Sequence, residues 1–456
     1  MNFKLTKKSK IIFSIVAFVI LATLSFTLYI NITLNPKAPE LSQEALTQAA
    51  IIFEEQYPVD IVKPLPYNTI PSELELNCSS AILIDASNGC VLYEKNADEV
   101  IPPASMTKLV VMYVVFQEIA TGRISMDDVV PLPPESWAVN APPNSSLMFL
   151  GESQIVTLEE LLLGLAVASG NDAAVAIGCY VSGNMDAFVQ RMNSEMEKLG
   201  LKNTRFVEPS GYSELNLTTA REFAAFCKIY IQRYPEALEK FHSQRSISYP
   251  QTHNLASWHL ENGREHPIFQ ANTNKLLGVL PGCDGLKTGF IFESGYNLSL
   301  TALRDGTRFI SVTMGGPGRG SVEGNKYRTE DGTKLMEWAF STFATRQKDE
   351  IPAMAVPVLG AKKNVVTVLP VWKESLTVPA ILENSTALDA ANAVTYSIQL
   401  PKFVKGPISA GQEIGHVVYQ LGDVELARIP LAAIHEVSKT NFLKRFIDSV
   451  ASLFIG

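Results

Sequence analysis

Residues 102–108 read Pro102-Pro103-Ala104-Ser105-Met106-Thr107-Lys108. The paired prolines stop the preceding segment, because proline fixes φ and has no N–H to continue a ladder. Beyond them a helix is predicted from about Ser105 to Ala120, with Gly122 as its C-cap. Its middle, Leu109 to Phe116, is apolar nearly all round, the mark of a helix in the centre of a domain. Ser105 then stands at the helix N-terminus, where free N–H groups and the dipole favour a developing anion. Lys108 follows one turn later on the same face. Serine is a poor nucleophile until a base takes its proton. Lysine is that base only when neutral, which burial and nearby positive charge promote. Alone, Ser-x-x-Lys recurs by chance, and an ordinary helix start accounts for most single matches.

On the N-terminal side, Ala81 to Asp85 and Cys90 to Glu94 flank Asn88-Gly89 and read as a β-hairpin. On the other side come helices. Thr157-Leu158-Glu159-Glu160 has capping-box spacing and opens one that ends near Ala168. Phe188, Met192, Met196 and Leu199 form a core stripe, and Thr219 to Glu222 opens a helix running to about Arg233. Strands then return at Leu286 to Thr288, Tyr296 to Leu303 and Arg308 to Met314, the last two joined through Asp305-Gly306. A helix at about Asp331 to Phe340 closes the region. This order predicts an α+β fold, an antiparallel sheet flanked by helices with an all-α insert.

Two further stretches carry chemistry once that fold is assumed. Ser169-Gly170-Asn171 falls at a break between helices and offers a hydroxyl and an amide on exposed backbone. Asp284-Gly285-Leu286-Lys287-Thr288-Gly289-Phe290 reads as a strand with a cationic and hydroxyl edge. Lys287 and Thr288 suit a substrate carboxylate, and Gly289 lets substrate backbone approach closely. Lys287 is also expected to press Lys108 toward neutrality. Ser169 lies 64 residues beyond Ser105, and Lys287 118 beyond Ser169, room for a helical subdomain between two parts of one sheet.

Ser-x-x-Lys, Ser-x-Asn and Lys-Thr-Gly in this order mark the penicillin-recognising serine enzymes. The chain resembles the low-molecular-mass penicillin-binding proteins of the D-alanyl-D-alanine carboxypeptidase type over about residues 76–435. The run Ser169 to Ala174, the stretch Gly200-Leu201-Lys202-Asn203-Thr204 and Gly295-Tyr296 add to the match. The resemblance implies a transpeptidase-like fold and catalytic roles for Ser105, Lys108 and Ser169. It implies substrate binding by Asn171, Lys287, Thr288 and Gly289, and an oxyanion hole from the backbone N–H groups of Ser105 and Phe290. The implied partners are the D-alanyl-D-alanine end of the peptidoglycan stem peptide and β-lactams. No metal and no cofactor is expected.

The 456 residues are organised as follows. Residues 1–35 hold an apolar run, Ile11 to Ile30, behind Lys4, Lys7, Lys8 and Lys10, long enough to cross a bilayer. The basic flank belongs in the cytoplasm, so the rest of the chain is expected on the extracytoplasmic face of the cell membrane. No clean Ala-x-Ala site follows, so we read an anchor, with a signal peptide as the alternative. Residues 36–76 read as a proline-rich linker with one short amphipathic stretch near Leu46 to Phe53, and 77–347 as the peptidase domain. Residues 352–436 read as a small all-β, sandwich-like domain. Residues 439–456 read as a helix with Phe442, Leu443, Phe446, Ile447, Val450, Leu453 and Phe454 on one face, suited to a membrane interface.

Other readings fare worse. A net charge of -8 and no basic cluster in the body leave no nucleic-acid partner. Five cysteines without a Cys-x-x-Cys pair make no disulfide framework. A zinc peptidase lacks His-Glu-x-x-His, and Gly315 to Gly320 lacks the ending of a phosphate loop. A β-lactamase needs a deacylating acid, for which Glu208 is the nearest candidate. A D,D-endopeptidase or a silent wall-binding, drug-sensing protein on this fold are the remaining alternatives. Ser257 to Pro267 reads as an extra polar loop near the groove.

Overall fold

The computed structural model describes residues 7–34, 36–68, 72–256, 266–372, 374–381 and 385–453. Most of the loop expected at 257–267, and Phe454, lie outside them. The chain forms two compact units: Asp60–Arg346 with Ser375–Asn392, and Met1–Val59 with Gln347–Glu374 and Ala393–Gly456.

The larger unit is built on a six-stranded sheet in the order β1-β3-β2-β8-β7-β6. Its strands are β1 (Lys63–Pro64), β2 (Ser80–Asp85), β3 (Cys90–Lys95), β6 (Cys283–Ile291), β7 (Gly295–Arg304) and β8 (Thr307–Gly316), while β4 (Ser246–Tyr249) and β5 (Ile268–Ala271) pair in a separate two-stranded ladder. All neighbours are antiparallel except β1 and β3. The β7–β8 turn holds Asp305 at φ 48° and Gly306 at φ 77°, the positive pair a tight hairpin demands.

Helix α3 (Lys108–Ala120) runs through the core, with Lys108 to Phe116 all buried. The insert contributes α4 (Leu158–Leu163), α5 (Asn171–Ser182), α6 (Met185–Lys198) and α7 (Ala220–Arg233). Thr157 and Glu160 form the expected capping box at α4, and Thr219 caps α7 through Glu222 N. The stripe Phe188, Met192 and Met196 is fully buried. Helix α8 (Ser321–Thr342) begins ten residues earlier than its apolar pattern predicts, because its first turns are polar. A short ladder between β9 (Phe343–Arg346) and β12 (Leu376–Pro379) draws Ser375–Asn392, expected in the β domain, into this unit.

The smaller unit holds a six-stranded sheet, β13-β15-β16-β11-β10-β14. Its strands are β10 (Met354–Leu359), β11 (Val365–Pro370), β13 (Thr395–Gln399), β14 (Val404–Lys405), β15 (Glu413–Leu421) and β16 (Val424–Ala433). Between β12 and β13 lies the short helix α9 (Ala387–Ala393). Part of the expected linker is folded here. Helix α2 (Gln43–Gln56), capped by Ser42, sets Ala49 and Phe53 against Ala432 and Ile434. Tyr57 OH then donates to Gly411 O at 2.8 Å. The same unit carries α1 (Lys7–Leu34) and α10 (Phe442–Ser452). All five cysteines are free thiols.

Candidate active site

Ser105 does not open α3 itself. It sits in a 3-10 turn, Ala104–Thr107, just before Lys108 begins the helix. Three neighbours press on this turn. Asn297 Nδ2 donates to Pro102 O at 3.0 Å. A Cβ at Gly289 would meet Pro103 O at 2.5 Å and Ser105 N at 3.2 Å, so strand β6 approaches only because that residue is glycine. A Cβ at Gly211, which stands at φ +77°, would meet Ala104 O at 1.9 Å.

Lys108 is fully buried, and its Nζ touches three oxygens: Ser105 Oγ at 3.0 Å, Asn171 Oδ1 at 2.8 Å and Ser210 O at 2.5 Å. A neutral amine has two protons and one lone pair. Given to Asn171 and the Ser210 carbonyl, the protons leave the lone pair facing the serine hydroxyl. Burial brings the amine's pKa down to about 7, against the opposing pull of Glu208 and Asp172.

Ser169 follows a π-helical turn, Gly164–Ala168, and sits in the left-handed region at φ 60° and ψ 34°. Asn171 opens α5, and its N–H donates to Ser146 O at 2.7 Å. Asp172 beside it accepts from the N–H groups of Met148, Phe149, Leu150 and Ala173, fixing the loop that carries Ser146. Ser105 and Ser169 share a cleft of about 670 Å³ with Thr273, Lys275, Thr288, Gly289, Phe290 and Arg328.

Lys108 and Lys287 stand behind this wall rather than in it. Lys287 is 1 % exposed, and its Nζ donates to Thr288 O at 3.0 Å. Burial drives its pKa well below the usual lysine value, and Lys108 and Arg328 push it further. The two lysines repel one another. For Lys108 the largest cause of the lowering is its own burial. His242, which pairs with Tyr230 OH at 2.8 Å, is held near a pKa of about 3 by burial and by Lys287.

The sequence reading missed three groups. Arg328 on α8 lines the cleft at 7 % exposure, donates to Asn325 Oδ1 and lies 5.7 Å from the Tyr296 ring centre. Burial lowers its pKa to about 10. Thr273 accepts from Thr288 Oγ1 at 2.7 Å. The third is the Ser210 carbonyl, which no side-chain pattern can reveal. Its loop is tied by Glu208, whose carboxylate accepts from Ser210 N at 2.7 Å, Ser210 Oγ at 2.5 Å, Ser213 N at 3.2 Å and Asn216 Nδ2 at 2.9 Å. Glu208, the candidate deacylating acid, is therefore engaged within its own loop and does not line the cleft. Phe290 stacks on Tyr296 at 4.3 Å, which makes this edge apolar as expected.

Residues 67–318 match the model of the D-alanyl-D-alanine carboxypeptidase family, and residues 340–439 match the C-terminal domain of penicillin-binding protein 5. The chain is 32 % identical over 375 residues to D-alanyl-D-alanine carboxypeptidase DacF of Bacillus subtilis, covering 82 % of this chain and 89 % of that protein. It is 31 % identical over 380 residues to D-alanyl-D-alanine carboxypeptidase DacC of Escherichia coli, covering 82 % and 87 %. Among solved structures, penicillin-binding protein 5 from Haemophilus influenzae superposes with a TM-score of 0.67 at 30 % identity, covering 81 % of this chain and all of that one. With a serine-lysine site at the centre of such a fold, the chain belongs to the D-alanyl-D-alanine carboxypeptidase family of low-molecular-mass penicillin-binding proteins and is a serine-type peptidase.

Proposed function

We propose that the chain removes the terminal D-alanine of peptidoglycan stem peptides through an acyl-enzyme on Ser105, and that β-lactams acylate the same oxygen. The observation that carries this reading is the buried Lys108 amine, 3.0 Å from Ser105 Oγ and held by two other oxygens.

Neutral Lys108 takes the Ser105 proton as Oγ attacks the carbonyl between the two D-alanines. The N–H groups of Ser105 and Phe290 receive the developing oxyanion. This role is supported by the tight seat of Gly289 against the Ser105 turn. The C–N bond then breaks, and the proton passes from Lys108 through the Ser169 hydroxyl to the departing amine. Water repeats the attack on the acyl-enzyme with Lys108 again as base, freeing Ser105.

The terminal carboxylate falls to Thr288 and Arg328, which face the cleft, while Lys287 lies behind them, bonded to Thr288 O. Asn171 gives its oxygen to Lys108, so its amide nitrogen is the group left for the substrate peptide. Lys7, Lys8 and Lys10 stand at the N-terminal end of the apolar helix α1, which favours an extracytoplasmic body held at the cell membrane.

The test is D-alanine release from an N-acylated peptide ending in L-Lys-D-Ala-D-Ala, with Ser105→Ala alongside. Release by the native chain alone supports the reading. Absence of both release and labelled-penicillin attachment at Ser105 removes it.

A further inference from the structure

We propose that α1 is retained in the mature protein and is clasped by α10, so that the β unit rests on lipid through one helix that crosses the bilayer and one that lies along it. This rests on the reading of the chain as membrane-held, and adds what becomes of its first helix and what that helix binds.

Helix α1 is 28 residues long. At about 1.5 Å per residue, roughly twenty residues span a hydrocarbon core of about 30 Å, so about two turns are left over. Those turns are the ones that meet protein. Phe26, Ile30 and Leu34, spaced by four, pack with Phe403 around Leu359 and Ala451. Thr33, in the same turns, is the buried residue of the helix. Nearer the N-terminus, Ile11, Phe13, Phe18, Leu21 and Leu24 are all more than half exposed.

Asp448 on α10 ties the two helices together. It is 1 % exposed and uses both oxygens, accepting from Tyr29 OH and from Gly360 N at 2.7 Å. Lys444, one turn earlier, donates to Ala361 O at 2.5 Å and to Asn364 Oδ1. Helix α10 therefore turns Lys444 and Asp448 inward and its large apolar residues outward. Phe442 is 81 % exposed, Leu443 68 %, Phe446 60 % and Leu453 80 %. Such a face needs a non-aqueous cover, and the adjoining span says which: a bilayer surface at the end of α1. A discarded signal peptide has no reason to complete a buried carboxylate. Removal of α1 would take the hydroxyl from Asp448 and the cover from Leu359 and Phe403.

The test uses the full chain with a C-terminal tag, expressed in a bacterium, with membranes isolated and the tagged protein weighed intact. The expected result is a membrane-bound product of the full 49.9 kDa plus tag. A shortened product that still sediments with membranes overturns the proposal and leaves the membrane reading standing, and a shortened soluble product overturns both. The clasp is tested separately by a protease site placed within residues 36–42. After cleavage in detergent, the α1 fragment is expected to stay with the body, and Tyr29→Phe to speed its loss by about tenfold, the worth of one hydrogen bond to a charged group. Immediate loss from the native body, or no change with Tyr29→Phe, overturns the clasp. Labelled-penicillin attachment at Ser105 reports in every sample that the larger unit is folded.

Discussion

Lys108 in the larger unit and Asp448 in the β unit are both withdrawn from solvent, at 0 % and 1 % exposure, and every polar atom of each has a partner. Their partners differ in kind. Lys108 faces three oxygens, one of which carries a proton it can take. Asp448 faces two donors, a phenol and a backbone N–H, and neither exchange nor chemistry follows. The same contrast runs through the two units. The larger one also buries Asp172, Lys287 and Arg328, whereas among the described residues of the β unit Asp448 is the buried charge. A buried ion costs several kcal/mol unless well partnered. In the larger unit Lys108 and Arg328 stand at the reaction or its cleft, and in the β unit Asp448 fastens an element.

That contrast can be broken by mutation, and the largest effect belongs to the reacting pair. Lys108→Met should slow penicillin acylation by roughly 10³- to 10⁴-fold, the contribution of a positioned general base, in a protein that still melts cooperatively. Stopped-flow labelling measures it, and a loss under tenfold would mean that another group takes the proton. Arg328→Gln should raise KM for a peptide ending in a free carboxylate by about 10- to 100-fold, the worth of one charge-assisted contact. The same peptide amidated at its C-terminus should scarcely notice. If both peptides suffer equally, Arg328 shapes the cleft without gripping the carboxylate.

The pH dependence sharpens the electrostatic half of the comparison. The base must be neutral, so kcat/KM should rise with pH through about 7, the value to which burial lowers Lys108. His242, at about 3, stays neutral over that range and cannot supply this limb. Glu208 favours the charged amine, so Glu208→Gln should carry the acid limb to lower pH. A drop in rate with the limb unmoved would reduce Glu208 to a tie for its loop. The smallest effect is expected at the fastening charge: Asp448→Ala should change turnover of a soluble peptide by less than about twofold, since it touches nothing in the reaction.

Much of this was legible in the sequence. Ser105 with Lys108, and Ser169 with Asn171, are local patterns, and the hairpin turns at Gly89 and Asp305-Gly306 announce themselves by residue type. What escaped is of three kinds. The Ser210 carbonyl is backbone, with no side-chain signature. Arg328 lies in the polar first turns of α8, where no apolar period marks even the helix. The withdrawal of Lys287 behind Thr288 is a matter of depth, and β6 alternates too little for pattern to reveal depth: Leu286 to Gly289 are buried in succession. The docking of α2 escaped for a related reason, because its partners lie in the last strands of the chain.

That docking orders events as the chain emerges from the ribosome. Tyr57 and Gly411, which bond across the β unit, are separated by 354 residues. Closing so long a loop costs little more than closing one half as long, about 0.6 kcal/mol, so the pairing is not thermodynamically penalised by its span. It is delayed instead. The stretch Asp60–Arg346 is contiguous and can condense while synthesis continues. Helix α2 has no sheet to rest on until β15 and β16 have followed, so it is made before the larger unit and docked after it.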